Sequence, residues 1–334
     1  MPSTVFRRAA CSVNHFAAHC ATRTAAAAAA VCATLLLAGC SAGSVFSSLV
    51  PTRIAVFGDG MSDVGQVAGA RYTINAATNY IWAQRVAISY GLPLAAKSAG
   101  GLGYAQGNAR IMLKPDAAGL ASTPTVQDQI NAFLASNTIG ANDVTLIGGG
   151  HSDIIVQTQA FLAGSQTQAQ MLANISQAAK DLATLTRQLV AAGGTHIVLT
   201  GVYDMGKTPW ATSIGQAALL SSASTKFNEA LLTAVVDLGN NVLFADAAFT
   251  VNLVVNQPAS YAITNTIASA CTTVDAGNGL GIGTGNINSA TCTSSTLAAG
   301  ATAVNFAFVD PVHFGPNAHE QLGAAAYTRM KSRW

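Results

Sequence analysis

"FGDGMSDVG", residues 57–65, follows directly on the short apolar run "RIAVF", residues 53–57. Apolar residues that stop at a Gly-Asp pair read as a buried strand leaving a sheet through a turn. In open parallel sheets, ligands collect outside the carboxyl ends of the strands, so this turn is where chemistry is to be sought. It carries two carboxylates, Asp59 and Asp63, one hydroxyl, Ser62, and a glycine, Gly60, at its centre.

Outward from this turn, the same pattern repeats. "DVTLIGGG" (143–150), "THIVLTGV" (195–202) and "NVLFAD" (241–246) read as further strands. Between them lie helical stretches at 79–90, 123–136, 165–192 and about 213–238, and a last one runs from about Pro316 to Met330. The helix at 165–192 has the clearest stripe, with Leu172, Ile175, Ala179, Leu182, Leu185 and Leu189 on one face. Proline at the start of the last helix fits the first helical position. Strands separated by helices of this length predict an α/β fold, a parallel sheet with helices on both faces.

Residues 257–303 break the rhythm, being rich in Gly, Ser, Thr and Asn. They read as a loop insertion rather than a second domain. Within them "GNGLGIGTGN" (277–286) has the look of a phosphate loop, but it follows no predicted strand, opens no helix and has no lysine after it. The insertion holds Cys271 and Cys292, which in an oxidising compartment pair most simply as a disulfide.

The first forty residues point to that compartment. Arg7, Arg8 and Arg23 precede an alanine run, and "VCATLLLAGC" ends at Cys40. A basic front, an apolar middle and small residues at the cut are the marks of an export signal. Leu37-Ala38-Gly39-Cys40 resembles the bacterial lipobox, which implies cleavage after residue 39, lipid on Cys40 and a Ser-rich tether over residues 40–50. Ser41 after that cysteine implies sorting to the outer membrane. Sixteen Lys+Arg less these three arginines leaves thirteen against fourteen Asp+Glu, so the mature chain carries a net charge of −1. That excludes a basic footprint for nucleic acid, and no cluster of metal ligands or cofactor motif stands out.

Four turns stand out in order: "FGDGMSD", "YAQGNAR", "GGGHSD" and "VDPVHFGPNAH". Together they resemble the sequence blocks of the SGNH (GDSL) ester hydrolases, in the bacterial secreted lipase, lecithinase and hemolysin-like subgroup, over roughly Arg53–Trp334. The resemblance implies a flavodoxin-like sheet and a domain over 51–334. It also implies roles. In the first block Gly58, Asp59 and Asp63 match, and Gly60 stands where the family has its nucleophilic serine. Gly107 matches the glycine whose N–H helps to form the oxyanion hole. In the third block Gly150 and Asp153 match, while Ser152 replaces the asparagine donor. Asp310 and His313 match the closing Asp-x-x-His pair.

Acyl transfer needs a nucleophile, a base within hydrogen-bond reach, a carboxylate orienting the base, and donors aimed at the oxyanion. Gly60 has no side chain from which to form an acyl-enzyme, so conventional serine catalysis is not expected. Ser62, two residues on, would be rotated by about 200° on a helical turn and face away from His313. Two readings diverge from here. In one, the protein still acts on carboxylic esters or lipids, with a water beside Gly60 activated by His313. In the other it is a pseudoenzyme that binds an ester- or lipid-like small molecule at the envelope. An unrelated flavodoxin-like protein would instead leave Gly60, Gly107, Ser152 and His313 apart in space. His151, His196, His319, Trp82 and Trp210 read as turn, packing or capping residues.

Overall fold

The computed structural model describes residues 47–334. The export signal at 1–39, Cys40 and the tether up to residue 46 lie outside the described residues. The main sheet has four parallel strands in the order β1 (Arg53–Phe57), β2 (Asp143–Ile147), β3 (Ile197–Thr200) and β4 (Val242–Ala245). Register is tight, with Val56 opposite Leu146 and Leu199 opposite Phe244. On the free edge of β1, Val56 makes a parallel bridge to Gly103, and its carbonyl accepts the N–H groups of Tyr104 and Ala105. The chain order across the molecule is therefore second, first, third, fourth, fifth. That is the flavodoxin-like order, and its topological switch point falls between β1 and β2.

Among the described residues, eight helices cover the sheet. One group comprises α2 (Val126–Leu134), α3 (His151–Leu162), α4 (Gln168–Ala191) and α6 (Ala217–Val235), with α4 lying along α6. The other comprises α1 (Trp82–Ser89), α7 (Ala247–Asn256) and α8 (Pro316–Arg333), with α8 packed on α1, α7 and β4. Short α5 (Pro209–Ser213) starts at a Thr208 cap. Every residue of β2 and β3 is buried, as strands covered on both faces must be.

Three helices were not legible in the sequence, the short α5 among them. In α3 the run Ile154-Ile155-Val156 is β-branched, which lowers helix propensity. α7 reads "AAFTVNLVVN", a strand-like composition, yet the Asp246 carboxylate accepts the Phe249 N–H and starts a helix there.

The insertion is more ordered than its composition implies. β5 (Asn265–Ser269) pairs in parallel with β8 (Phe306–Phe308), just beyond the insertion. β6 (Val274–Asp275) pairs antiparallel with β7 (Asn286–Ile287). The glycine-rich stretch is the loop of that hairpin, so it does follow a strand, contrary to the sequence reading. It docks on the body where the Asn108 side chain donates to the Gly279 carbonyl at 2.8 Å. Cys271 and Cys292 form a disulfide. On the chain-entropy picture its loop of 21 residues contributes about 3 kcal/mol. A Cys271→Ser/Cys292→Ser variant should lose about that much in urea unfolding; an unchanged midpoint would show that the insertion holds itself.

Candidate active site

The first turn is built by backbone constraints. Gly58 has φ 153°, and a Cβ there would stand 2.8 Å from the Gly148 carbonyl oxygen at the end of β2. Its N–H donates to Gln129 Oε1 at 2.8 Å, and its carbonyl accepts from Gln129 Nε2 at 2.9 Å. A single buried side chain on α2 thus clamps the turn. Asp59 then caps a one-turn 3-10 helix over Gly60–Ser62, accepting the Met61 N–H.

Opposite this turn comes the chain's last loop. Asp310 is fully buried and accepts five hydrogen bonds. Oδ1 takes the N–H groups of Val312 (2.8 Å) and His313 (2.7 Å). Oδ2 takes His313 Nδ1 (2.9 Å), the Ser289 N–H (3.2 Å) and the Ser289 hydroxyl. Burial pushes the Asp310 carboxyl up, but the His313 imidazole and the Ser289 and backbone donors outweigh it and hold it below the usual carboxylate range. An ionised Asp310 fixes the proton on His313 Nδ1, so Nε2 presents its lone pair to the site.

That lone pair points at Gly60. A Cβ built on Gly60 would lie 2.8 Å from His313 Nε2 and 3.3 Å from ring carbons of Tyr72. Sequence positions 253 apart therefore meet at one point, as the shared-site reading requires. The His313 and Tyr72 rings therefore crowd the position that a Cβ on Gly60 would take.

Tyr72 is the residue the sequence did not reveal. Its ring lies 4.7 Å from that of His313. It also covers Gly107 so closely that a Cβ there would fall 2.1 Å from the Tyr72 hydroxyl oxygen. Meanwhile the Gly107 N–H donates to Asp63 Oδ2 at 2.8 Å. In this arrangement the N–H that the resemblance assigns to the oxyanion hole is engaged by Asp63 and roofed by Tyr72. Ser152 is buried in the first turn of α3, and its hydroxyl makes no hydrogen bond among the described residues. Its neighbour His151 donates its N–H to Asp59 Oδ2 and meets the same oxygen through Nδ1 at 3.1 Å. Burial raises Asp59, but His151 and the Met61 N–H bring it below the ordinary range.

The other sequence candidates have structural partners. Ser62 accepts from the Trp82 indole N–H at 3.1 Å, which turns its hydroxyl toward α1. His319 Nδ1 accepts the Trp82 N–H at the start of α1, and complete burial holds its imidazole neutral. Asp153 pairs with Arg110 at 2.9 Å and accepts the Ile111 N–H. His196 packs edge-on against Trp334.

Asp63 behaves differently. Its carboxylate accepts the N–H groups of Gly65, Gln66 and Gly107, yet burial outweighs all three and pushes its pKa up to about 6. An acid raised in the folded state binds its proton more tightly there than in the unfolded chain. Its contribution to stability should therefore be fully present below about pH 4 and fall away as pH rises to about 6. A ¹³C titration of the Asp63 carboxyl should show a midpoint near 6; a midpoint near the ordinary 3.9 would mean the three N–H donors dominate.

Asp63, Tyr72 and Gly107 also line a cavity of about 200 Å³, together with apolar Val67 and Leu120 and polar Gln106. Two larger cavities, each about 330 Å³, hold none of these residues.

The family profile described as GDSL-like Lipase/Acylhydrolase matches residues 54–326. The chain belongs to this family. Solved structures similar to it at low identity include two esterases and a further member of the G-D-S-L family. One is Est24, a carbohydrate acetylesterase from Sinorhizobium meliloti, at 11% identity and TM-score 0.45, covering 84% of this chain and 99% of the other. A native aryl esterase from M. smegmatis gives 13% and 0.42 over 84% and 99%. A member of the lipolytic G-D-S-L family from Veillonella parvula gives 10% and 0.42 over 83% and 96%. No curated relative matches the sequence. Membership in the GDSL-type hydrolases sets the ancestral chemistry as action on esters.

Proposed function

We propose that this chain is an exported envelope lipoprotein, anchored through Cys40, whose GDSL-type site binds an ester- or lipid-like small molecule without serine-based turnover. The closure at Gly60 carries this reading: the nucleophile position has no side chain, and His313 Nε2 with Tyr72 fills the space that a serine Cβ would need. The cavity beside Gly107 supports the ligand class, since its lining combines apolar Val67 and Leu120 with polar Asp63 and Gln106. An amphipathic ligand satisfies both kinds of lining. No cofactor is required by this chemistry.

The intact Asp310–His313 pair supports the rival reading, ester turnover by an altered route. The two separate on one assay. The mature chain, residues 41–334, is expected to show no His313-dependent hydrolysis of p-nitrophenyl esters, and to bind a short monoacylglycerol in calorimetry with affinity weakened by Leu120→Asp. Turnover by the parent chain that His313→Ala abolishes would overturn the binding reading.

A further inference from the structure

The insertion, treated so far as an appendage, reaches the centre of the site. Ser289 is fully buried on the one-turn helix Ser289–Thr291, three residues before Cys292. We infer that Ser289 is a positioning residue that fixes the Asp310–His313 pair, and that the Cys271–Cys292 disulfide holds it in place. It acts through Asp310 and does not touch His313.

Three observations converge on this. The first is the sharing of Asp310 Oδ2: the Ser289 N–H and hydroxyl both donate to the oxygen that His313 Nδ1 meets at 2.9 Å. Oδ1 is held by the loop's own backbone, so among the described residues Ser289 alone anchors Oδ2 from outside that loop. The second is the way Ser289 is held. Its carbonyl accepts from Asn75 Nδ2 at 3.0 Å, and the Asn75 N–H donates to the Cys292 carbonyl at 2.8 Å. Asn75 lies in the same loop as Tyr72, so one short segment ties together the roof of the site and its carboxylate. The third is the other half of the disulfide. The Cys271 N–H donates to the carbonyl of Val309, the residue before Asp310. Both cysteines and Val309 pack with Ile74 in a small apolar cluster of their own. The disulfide thus joins the backbone that leads into Asp310 to the turn that presents Ser289.

A carboxylate that accepts a serine hydroxyl on one oxygen cannot rotate that oxygen away from the imidazole without breaking a charge-assisted bond. Such a device holds His313 in one tautomer, with Nε2 unprotonated and facing Gly60. The inference concerns the geometry of the Asp310–His313 pair itself, so it goes beyond the binding reading and does not depend on it.

The test is ¹⁵N-resolved NMR of the His313 ring in the mature chain, with no ligand present. The parent should show one tautomer and a slowly exchanging Nδ1 proton. Ser289→Ala should speed exchange of that proton by about tenfold, the factor for one lost hydrogen bond to a charged group, and should mix the tautomers. Ser289→Thr, which keeps the hydroxyl, should restore slow exchange. Reducing the disulfide in the parent should reproduce the Ser289→Ala spectrum, and reducing Ser289→Ala should add nothing further. Unchanged His313 signals in folded Ser289→Ala would overturn the inference. Should that variant fail to fold, the reduced parent decides, and a His313 spectrum unaltered by reduction overturns it equally. Ester turnover by the parent would sink the binding reading while leaving this readout intact.

Discussion

A Gly60→Ser/Tyr72→Ala double variant is expected to hydrolyse p-nitrophenyl acetate about 10³- to 10⁴-fold faster than the parent chain, in a His313-dependent manner. The size follows from two opposing factors. A serine nucleophile is worth on the order of 10⁶ in turnover, and the missing asparagine donor at Ser152 takes back about 10² to 10³. Gly60→Ser alone should fall well short of the double. Its Cβ would stand 2.8 Å from His313 Nε2, so the imidazole must retreat against its Asp310 bond, and Tyr72 would still roof Gly107. Adding Ser152→Asn to the double should recover part of the remainder. Initial rates for the single, double and triple variants, each beside His313→Ala, decide the matter. A double no faster than the single would show that Tyr72 does not obstruct the site.

The largest stability effect is expected at Asp153→Ala, which should cost about 3 to 5 kcal/mol in urea unfolding, as for removal of one partner from a buried ion pair. Arg110 and Asp153 have side chains only 7% and 3% exposed, so the guanidinium left behind would lose its partner in an almost dry setting. Burial raises the Asp153 carboxyl above its ordinary value even with Arg110 beside it, which shows how strongly this position disfavours charge. The variant also orphans the Ile111 N–H and removes an acid from the first turn of α3. Arg110→Met/Asp153→Leu should recover most of the loss, because apolar replacement of both members removes the desolvation cost. A loss below about 1 kcal/mol in the single variant, the range of exposed pairs, would mean that solvent reaches the pair.

Much of this molecule was legible in its sequence because the signals were periodic or local. Short apolar runs, three of them ending at a glycine turn, located all four strands of the main sheet, and the leucine stripe of 165–192 located α4 (Gln168–Ala191). The Asp310–His313 spacing needs only one turn to bring its members together, so it too was readable. What could not be read depended on contacts between distant segments. Tyr72 has no distinguishing neighbours in "RYTIN", and its role exists only because the loop lies over Gly60 and Gly107. Ser289 sits among serines and threonines of similar character, and only the fold selects it. The helices α3 and α7 (Ala247–Asn256) were missed because local composition favoured strand, while burial and, in α7, the Asp246 cap favoured helix.

The described chain starts where Ser47 and Ser48 donate to the carbonyl of Trp334, ahead of β1. The strand's five residues then carry the chain about 17 Å to the turn that holds Gly60. One short strand thus has a separate duty at each end: near its start the first and last described residues are tied to each other, and at its finish the turn meets His313.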